Sequence, residues 1–159
     1  MRVDRFEKAK QALLKEMLAN RAHCADSVYA LRACTGLEEL ISTLNRFVGE
    51  LRYKRFPNIE IVREYFSEEI EQLNALGVFI DQDVRVSNIE NVWLFGHCTG
   101  SVSTSAIKYH NIIINDDAEV TINALPWTLQ HVYIKDSSSI VKFNKAHNAT
   151  QIVVKNKIL

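Results

Sequence analysis

The sequence predicts an α+β chain. An N-terminal helical domain over residues 1–76 precedes a short right-handed parallel β-helix of about four 20-residue coils over residues 77–159. Three observations predict it. Apolar residues before Gly77 recur at helical spacing, residues after it are rich in Val, Ile, Thr, Ser and Asn in short runs, and those runs repeat every twenty residues.

The helices follow in chain order. From Val3 to Asn20, Phe6, Ala9, Leu13 and Met17, with Leu14 and Leu18 beside them, make one apolar stripe. A short second helix over Asp26 to Ala33 buries Val28 and Leu31. In "TGLEEL", Thr35 caps the third helix and Glu38 completes a capping box, after which Leu37, Leu40, Ile41, Leu44, Val48 and Leu51 mark the buried face. Pro57 opens a fourth helix in its first turn, where no donor is lost, and Ile59, Val62 and Phe66 continue it. Ser67 and the two glutamates after it start a last short helix that stops at Gly77.

In the second half, segments beginning "NVWLFG", "NIIIND", "HVYIKD" and "QIVVKN" start at residues 91, 111, 131 and 151. Their second residues are Val92, Ile112, Val132 and Ile152, and their fourth are Leu94, Ile114, Ile134 and Val154. A second set of strands follows, with Gly100 and Val102, Val120 and Ile122, then Val141 and Phe143 after one extra residue. Ile107, Leu125 and Trp127 make a weaker third set. A fixed period of this size, with no helix inside it, is the mark of stacked coils about 4.8 Å apart. An antiparallel sandwich is the rival, but this half has no Asn-Gly, Asp-Gly or Gly-Gly hairpin turn.

Composition narrows the class. With 24% charged and 47% hydrophobic residues, the chain is neither disordered nor fibrous. Nineteen basic side chains balance nineteen acidic ones, which argues against a generally basic nucleic-acid binder. No apolar run is long enough for a membrane span, and the charged N-terminus lacks the apolar core of a signal peptide. Three cysteines at 24, 34 and 98, without metal spacing, read as free thiols in a reducing cytoplasm. No Gly-rich phosphate loop, zinc-ligand series or Ser-centred nucleophile motif occurs, so no enzyme activity, cofactor or metal is expected.

The capped helix "TGLEELISTLNRFV", a helix after "FPN", the "LGVFID" joint and "NVWLFGHCTGSV" leading into repeated strands resemble a family of small, uncharacterised proteins. These occur in gut Bacteroidetes genomes, often in phage or mobile-element regions. The resemblance covers about residues 28 to 159. It implies a cytoplasmic, phage-derived accessory protein and names no reaction.

The candidate sites follow from the rows. Trp93, Ile113, Tyr133 and Val153 hold the third position, alternate with the inward residues and form an outward ladder. Left open, that ladder is a protein-binding surface anchored on Trp and Tyr, and covered by the chain's own helices it is not. The last coil, with Ile152, Val154, Ile158 and Leu159 and no polar cap, is expected to pair with another copy in a homo-oligomer. Together these predict a non-catalytic interaction or assembly module.

Two alternatives stand beside it. Asp116 and Asp136 share the sixth position and offer a carboxylate pair for a carbohydrate-binding or carbohydrate-cleaving β-helix, although Lys135 and Lys155 lie beside that row and Asp is also a turn former. Arg46, Arg52, Lys54 and Arg55, interleaved with Phe47, Tyr53 and Phe56, form a local patch of nucleic-acid-binding type, or simply a helix end. Asn91, Asn111, His131 and Gln151 at the first position read as a structural ladder, and His110 beside His131 lacks the third ligand a metal needs.

Overall fold

The computed structural model describes residues 1–19, 23–48, 56–105 and 107–155. The chain forms two compact units, Met1–Gln72 and Leu73–Leu159. The expected division at Gly77 lies a few residues later. Asn74 and Gln82 exchange a pair of amide hydrogen bonds at 3.0 Å, and Trp93 N donates to Gly77 O at 2.8 Å, so the segment from Leu73 is tied into the second unit.

The first unit is helical. α1 (Val3–Ala19) buries Phe6, Ala9, Leu13, Leu14 and Met17, while Leu18 faces solvent. Lys10 is buried with them. Its Nζ donates to Glu7 Oε1 at 2.8 Å and to Cys34 O at 2.9 Å, which satisfies the charge.

α2 (Ala25–Ala33) begins one residue before the expected start, because Cys24 and Ser27 form the capping box. α3 (Leu37–Arg46) has Gly36 at its N-cap, and Glu39 rather than Glu38 reaches back to Thr35. Thr35 N and Oγ1 donate to Glu39 Oε2 at 2.7 and 2.9 Å, and these bonds, the backbone one foremost, hold the Glu39 carboxyl below its ordinary range. α3 ends at Arg46 with Phe47 as its C-cap, short of the expected run through Val48 to Leu51, and Leu51 itself lies outside the described residues.

α4 (Ile59–Phe66) is capped by Asn58, whose Oδ1 accepts from Glu60 N at 2.8 Å. Pro57 therefore precedes the cap instead of filling the first turn. Ser67 closes α4 and does not open α5 (Ile70–Ala75).

The second unit is a parallel β-solenoid of about four turns. Its strands are β1 (Val78–Ile80), β2 (Asp83–Ser87), β3 (Asn91–Phe95), β4 (Thr99–Thr104), β5 (Tyr109–Asn115), β6 (Glu119–Ala124), β7 (Leu129–Ile134), β8 (Ile140–Lys145) and β9 (Thr150–Lys155). Odd-numbered strands form one sheet in the order β1-β3-β5-β7-β9, and even-numbered strands form the other in the order β2-β4-β6-β8. Every pairing is parallel, and Ile112 lies directly beside Val132. The joint after Gly77 is itself a coil, made of β1 and β2.

Inward residues stack into apolar columns. Val92, Ile112 and Val132 form one, Leu94, Ile114 and Ile134 a second, and Val102, Ile122 and Phe143 a third. Gly100 interrupts the column between Val84 and Val120 because a Cβ there would sit 2.3 Å from Val84 O, and its φ of +109° admits only glycine.

Coil length is not constant. Val78 pairs with Trp93 across a first coil of fifteen residues, Trp93 with Ile113 across twenty, and Val132 with Val153 across twenty-one. The extra residue lies in the corner Asp136–Ser139, between β7 and β8. It corrects the repeat, since a one-residue slip exchanges the two faces of a strand. Val153 belongs to the inward column of Val132, while Ile152 and Val154 continue the outward columns of His131 and Tyr133.

Candidate functional site

The surface that stands out is a corner of the solenoid where one sheet turns into the other. It lies between β4 and β5 in one coil and between β6 and β7 in the next. Ile107, Tyr109, Leu125 and Trp127 are all exposed there, Ile107 at 86% and Trp127 at 66%. Ile107 and Trp127 each stand two residues before the paired Tyr109 and Leu129 of successive coils. The sequence pattern assigned three of these residues to a third strand set. Each described coil has only two strands, and the "LPWT" segment is a turn, closed by Thr128 Oγ1 donating to Leu125 O at 2.8 Å.

The corner is held firmly. Leu125 N donates to Thr104 O at 2.9 Å, and Thr150 N donates to Thr128 O at 2.8 Å, which pins the turn to the coils on both sides. Trp127 has φ +65°, a left-handed conformation rare for a bulky L-residue. Such strain persists only where its surroundings impose it, and it gathers at binding sites. Behind the patch, Tyr109 Oη hydrogen-bonds His131 Nδ1, which also lies 3.1 Å from Tyr133 Oη. Tyr109 therefore has a fixed ring on a mostly apolar surface. The sequence signal for this site was available in the unusual Trp after Pro126, a large apolar residue in a turn.

The structure places the expected sites elsewhere. Trp93, Ile113 and Tyr133 do stack, but all three are buried, Trp93 to 1% exposure, so they are not open to a partner as the chain is folded. Trp93 stacks on Phe95, with ring centroids 5.8 Å apart, and Lys135 Nζ lies 5.2 Å from the Trp93 ring. Val153 is 39% exposed but stands in an inward column, so it does not extend the ladder. Ile152 is exposed and Val154 half-buried at the last strand, and Ile158 and Leu159 lie outside the described residues.

The carboxylate pair is not a site of matched groups. Asp136 is buried and braces its own corner. Its Oδ1 accepts from Ser138 N, Ser138 Oγ and Ser139 N at 2.6–3.0 Å, and its Oδ2 from Ser139 Oγ at 2.9 Å and Asp116 N at 2.8 Å. Both oxygens are occupied by the turn that carries the extra residue. Asp116 is half-buried with φ +60°, a conformation that suits Asp at a corner.

Of the basic patch, Arg46 is exposed with its guanidinium 5.0 Å from the Phe47 ring, and Arg52, Lys54 and Arg55 lie outside the described residues. The first-position ladder is real for its first step, where Asn111 Nδ2 donates to Asn91 Oδ1 at 2.8 Å. Gln151 instead donates to Gln130 Oε1 at 2.7 Å, in the inward column that also holds His110. His110 and His131 thus face opposite sides of β5 and β7 and do not converge. His110 is buried with Nδ1 2.9 Å from Ile89 O. Cys98 fills the tight interior beside Ala118, and burial pushes its thiol up.

Among the described residues no group of three or more His, Cys, Asp or Glu could hold a metal, and no helix is long and apolar enough to cross a membrane. Comparison with protein-family models, curated proteins and solved structures found no match for the chain.

Proposed function

We propose that the chain is a non-catalytic protein-interaction module whose working surface is the solenoid corner. The observation that carries this is the set Ile107, Tyr109, Leu125 and Trp127, four large apolar side chains exposed at one corner, whose Leu125–Thr128 turn is hydrogen-bonded to the coils on both sides. Exposed Trp and Tyr on a fixed scaffold anchor protein partners at low entropic cost, because little freedom is left to lose on binding. The reactive groups of the solenoid support a binding role, since Asp136 is consumed by its turn and Cys98 and His110 are enclosed. We place the protein in a reducing compartment, where its free Cys24, Cys34 and Cys98 persist as thiols. A phage-borne or mobile-element accessory protein fits that setting.

A photo-crosslinking residue at position 107, compared with one at position 117, tests the reading in lysate of the producing cell. The expected result is one protein adduct from position 107 only, lost in Trp127→Ala. Adducts of equal yield from both positions, or none from 107, overturn it. Binding of a glycan array abolished by Trp127→Ala would replace the protein partner with a carbohydrate.

A further inference from the structure

Among the described residues, the interior is open at the far end of the solenoid. Val141, Phe143 and Val153 stand in the inward columns of the last coil, yet none is fully buried. Among the described residues, β8 pairs only with β6 and β9 only with β7, so each leaves one row of backbone donors and acceptors without a neighbouring strand.

The same columns carry cations. Lys145 continues the column of Ala124, and Lys155 continues the column of Ile134. Lys142 is exposed on the outer face of β8. From Ser137 through Lys155 there is no Asp or Glu. The acidic side chains of the solenoid lie earlier, at Asp81, Asp83, Glu90, Asp116, Asp117, Glu119 and the braced Asp136.

We propose that this edge is a lysine-guarded docking strand. It takes an extended, acidic segment of another protein and refuses a second copy of this chain. Strand addition supplies main-chain hydrogen bonds whatever the sequence, so side chains on the inward face decide which strand fits. A segment with an apolar residue and, two positions on, an acidic one meets Val153 and Lys155 in one sheet, or Phe143 and Lys145 in the other. A second copy brought edge to edge places its own lysines opposite these, and like charges directly across a ladder repel. Inward-pointing lysines are a recognised device against edge-to-edge association. Here they also select the sign of the strand that is admitted.

The test uses fluorescein-labelled peptides TVTETVTE and TVTKTVTK, read by anisotropy against the full chain. The acidic peptide is expected to bind at least tenfold more tightly in low salt, an advantage that shrinks as salt is raised. The double variant Lys145→Glu/Lys155→Glu, both surface changes, is expected to reverse the preference. Equal binding of both peptides, binding of neither, or an unchanged preference in the double variant overturns the proposal.

Light scattering gives the second arm. Lys145→Val/Lys155→Val is expected to associate where the wild type does not. A wild-type dimer that the valines leave unchanged would mean that the edge already holds a second copy. Tenfold tighter binding of the acidic peptide after truncation at Lys155 would mean that residues 156–159 occupy it. Either result overturns the proposal.

Discussion

The two ends of the solenoid are built from the same kind of strand and treated differently. In the first coil, Phe79 and Val84 stand in inward columns and are buried to 5% and 1% exposure. In the last, the column of Phe79 ends in the exposed Lys155 and that of Val84 in the part-exposed Val141, while Val153, at the end of the Val132 column, is 39% exposed and Lys145 ends the column of Ala124. A solenoid coil buries its interior only against the coils above and below it, so an end coil gains half of what a middle coil gains. One end here keeps its apolar residues buried. Among the described residues the other is part-exposed and carries lysines at two column ends, a pattern that discourages edge-to-edge pairing. The same apolar columns are thus buried at one end of the core and part-exposed at the other.

Truncations along the columns break or sharpen that contrast most strongly. Leu94 is fully enclosed between Phe79 and Ile114, so Leu94→Ala is expected to cost about 3 kcal/mol through lost transfer energy and a cavity that cannot collapse. Phe143 is larger but half-buried at the open end, and Phe143→Ala is expected to cost about 1.5 kcal/mol. Urea unfolding of both variants measures the difference. Equal losses would mean that the last coil is closed in solution.

The corner with the extra residue gives the next effect. Asp136→Asn puts an amide donor among groups that are themselves donors, and a buried mismatch of that kind costs about 2 kcal/mol. Asp116→Asn keeps a side chain that tolerates the left-handed corner and is expected to change stability by less than about 0.5 kcal/mol. Comparable losses in the two variants would contradict the assignment of Asp136 as the brace, and a shared loss of glycan binding would return the pair to the role of a site.

Much of the fold was written in the repeat. Rows of Val92, Ile112 and Val132, and of Leu94, Ile114 and Ile134, are periodic because each coil must present the same apolar face to its neighbours. The helical faces were legible for the same reason. What escaped was local. The extra residue in the third row appeared as a shift of Val141 and Phe143, but its consequence for Val153 lay one strand further on, where a single step changes the face. The first coil was hidden because its fifteen-residue length breaks the period. The second helix starts earlier, capped by Cys24, and Glu39 takes the place of Glu38 in reaching back to Thr35, because several polar residues at each start were equally able to reach the backbone. The corner site was misread as strand because Ile107, Leu125 and Trp127 look like core residues in one dimension. Only the turn geometry turns them outward.

The smallest expected difference between paired variants concerns that corner. Trp127 occupies a left-handed conformation that costs an L-residue about 1–2 kcal/mol and a glycine almost nothing. Trp127→Ala keeps the strain and removes the ring, whereas Trp127→Gly removes both but adds freedom to the unfolded chain, which offsets part of the gain. The glycine variant is therefore expected to be the more stable of the two by about 0.5–1 kcal/mol, although glycine ordinarily weakens a structure relative to alanine. Both variants should lose the red-edge emission of an exposed indole and keep that of the buried Trp93. Neither should bind the corner's partner. If alanine proves the more stable, the turn relaxes in solution and the ring is not held out by its backbone. The interaction surface would then have to be one that forms on binding, which is the opposite of a preformed corner on a rigid column.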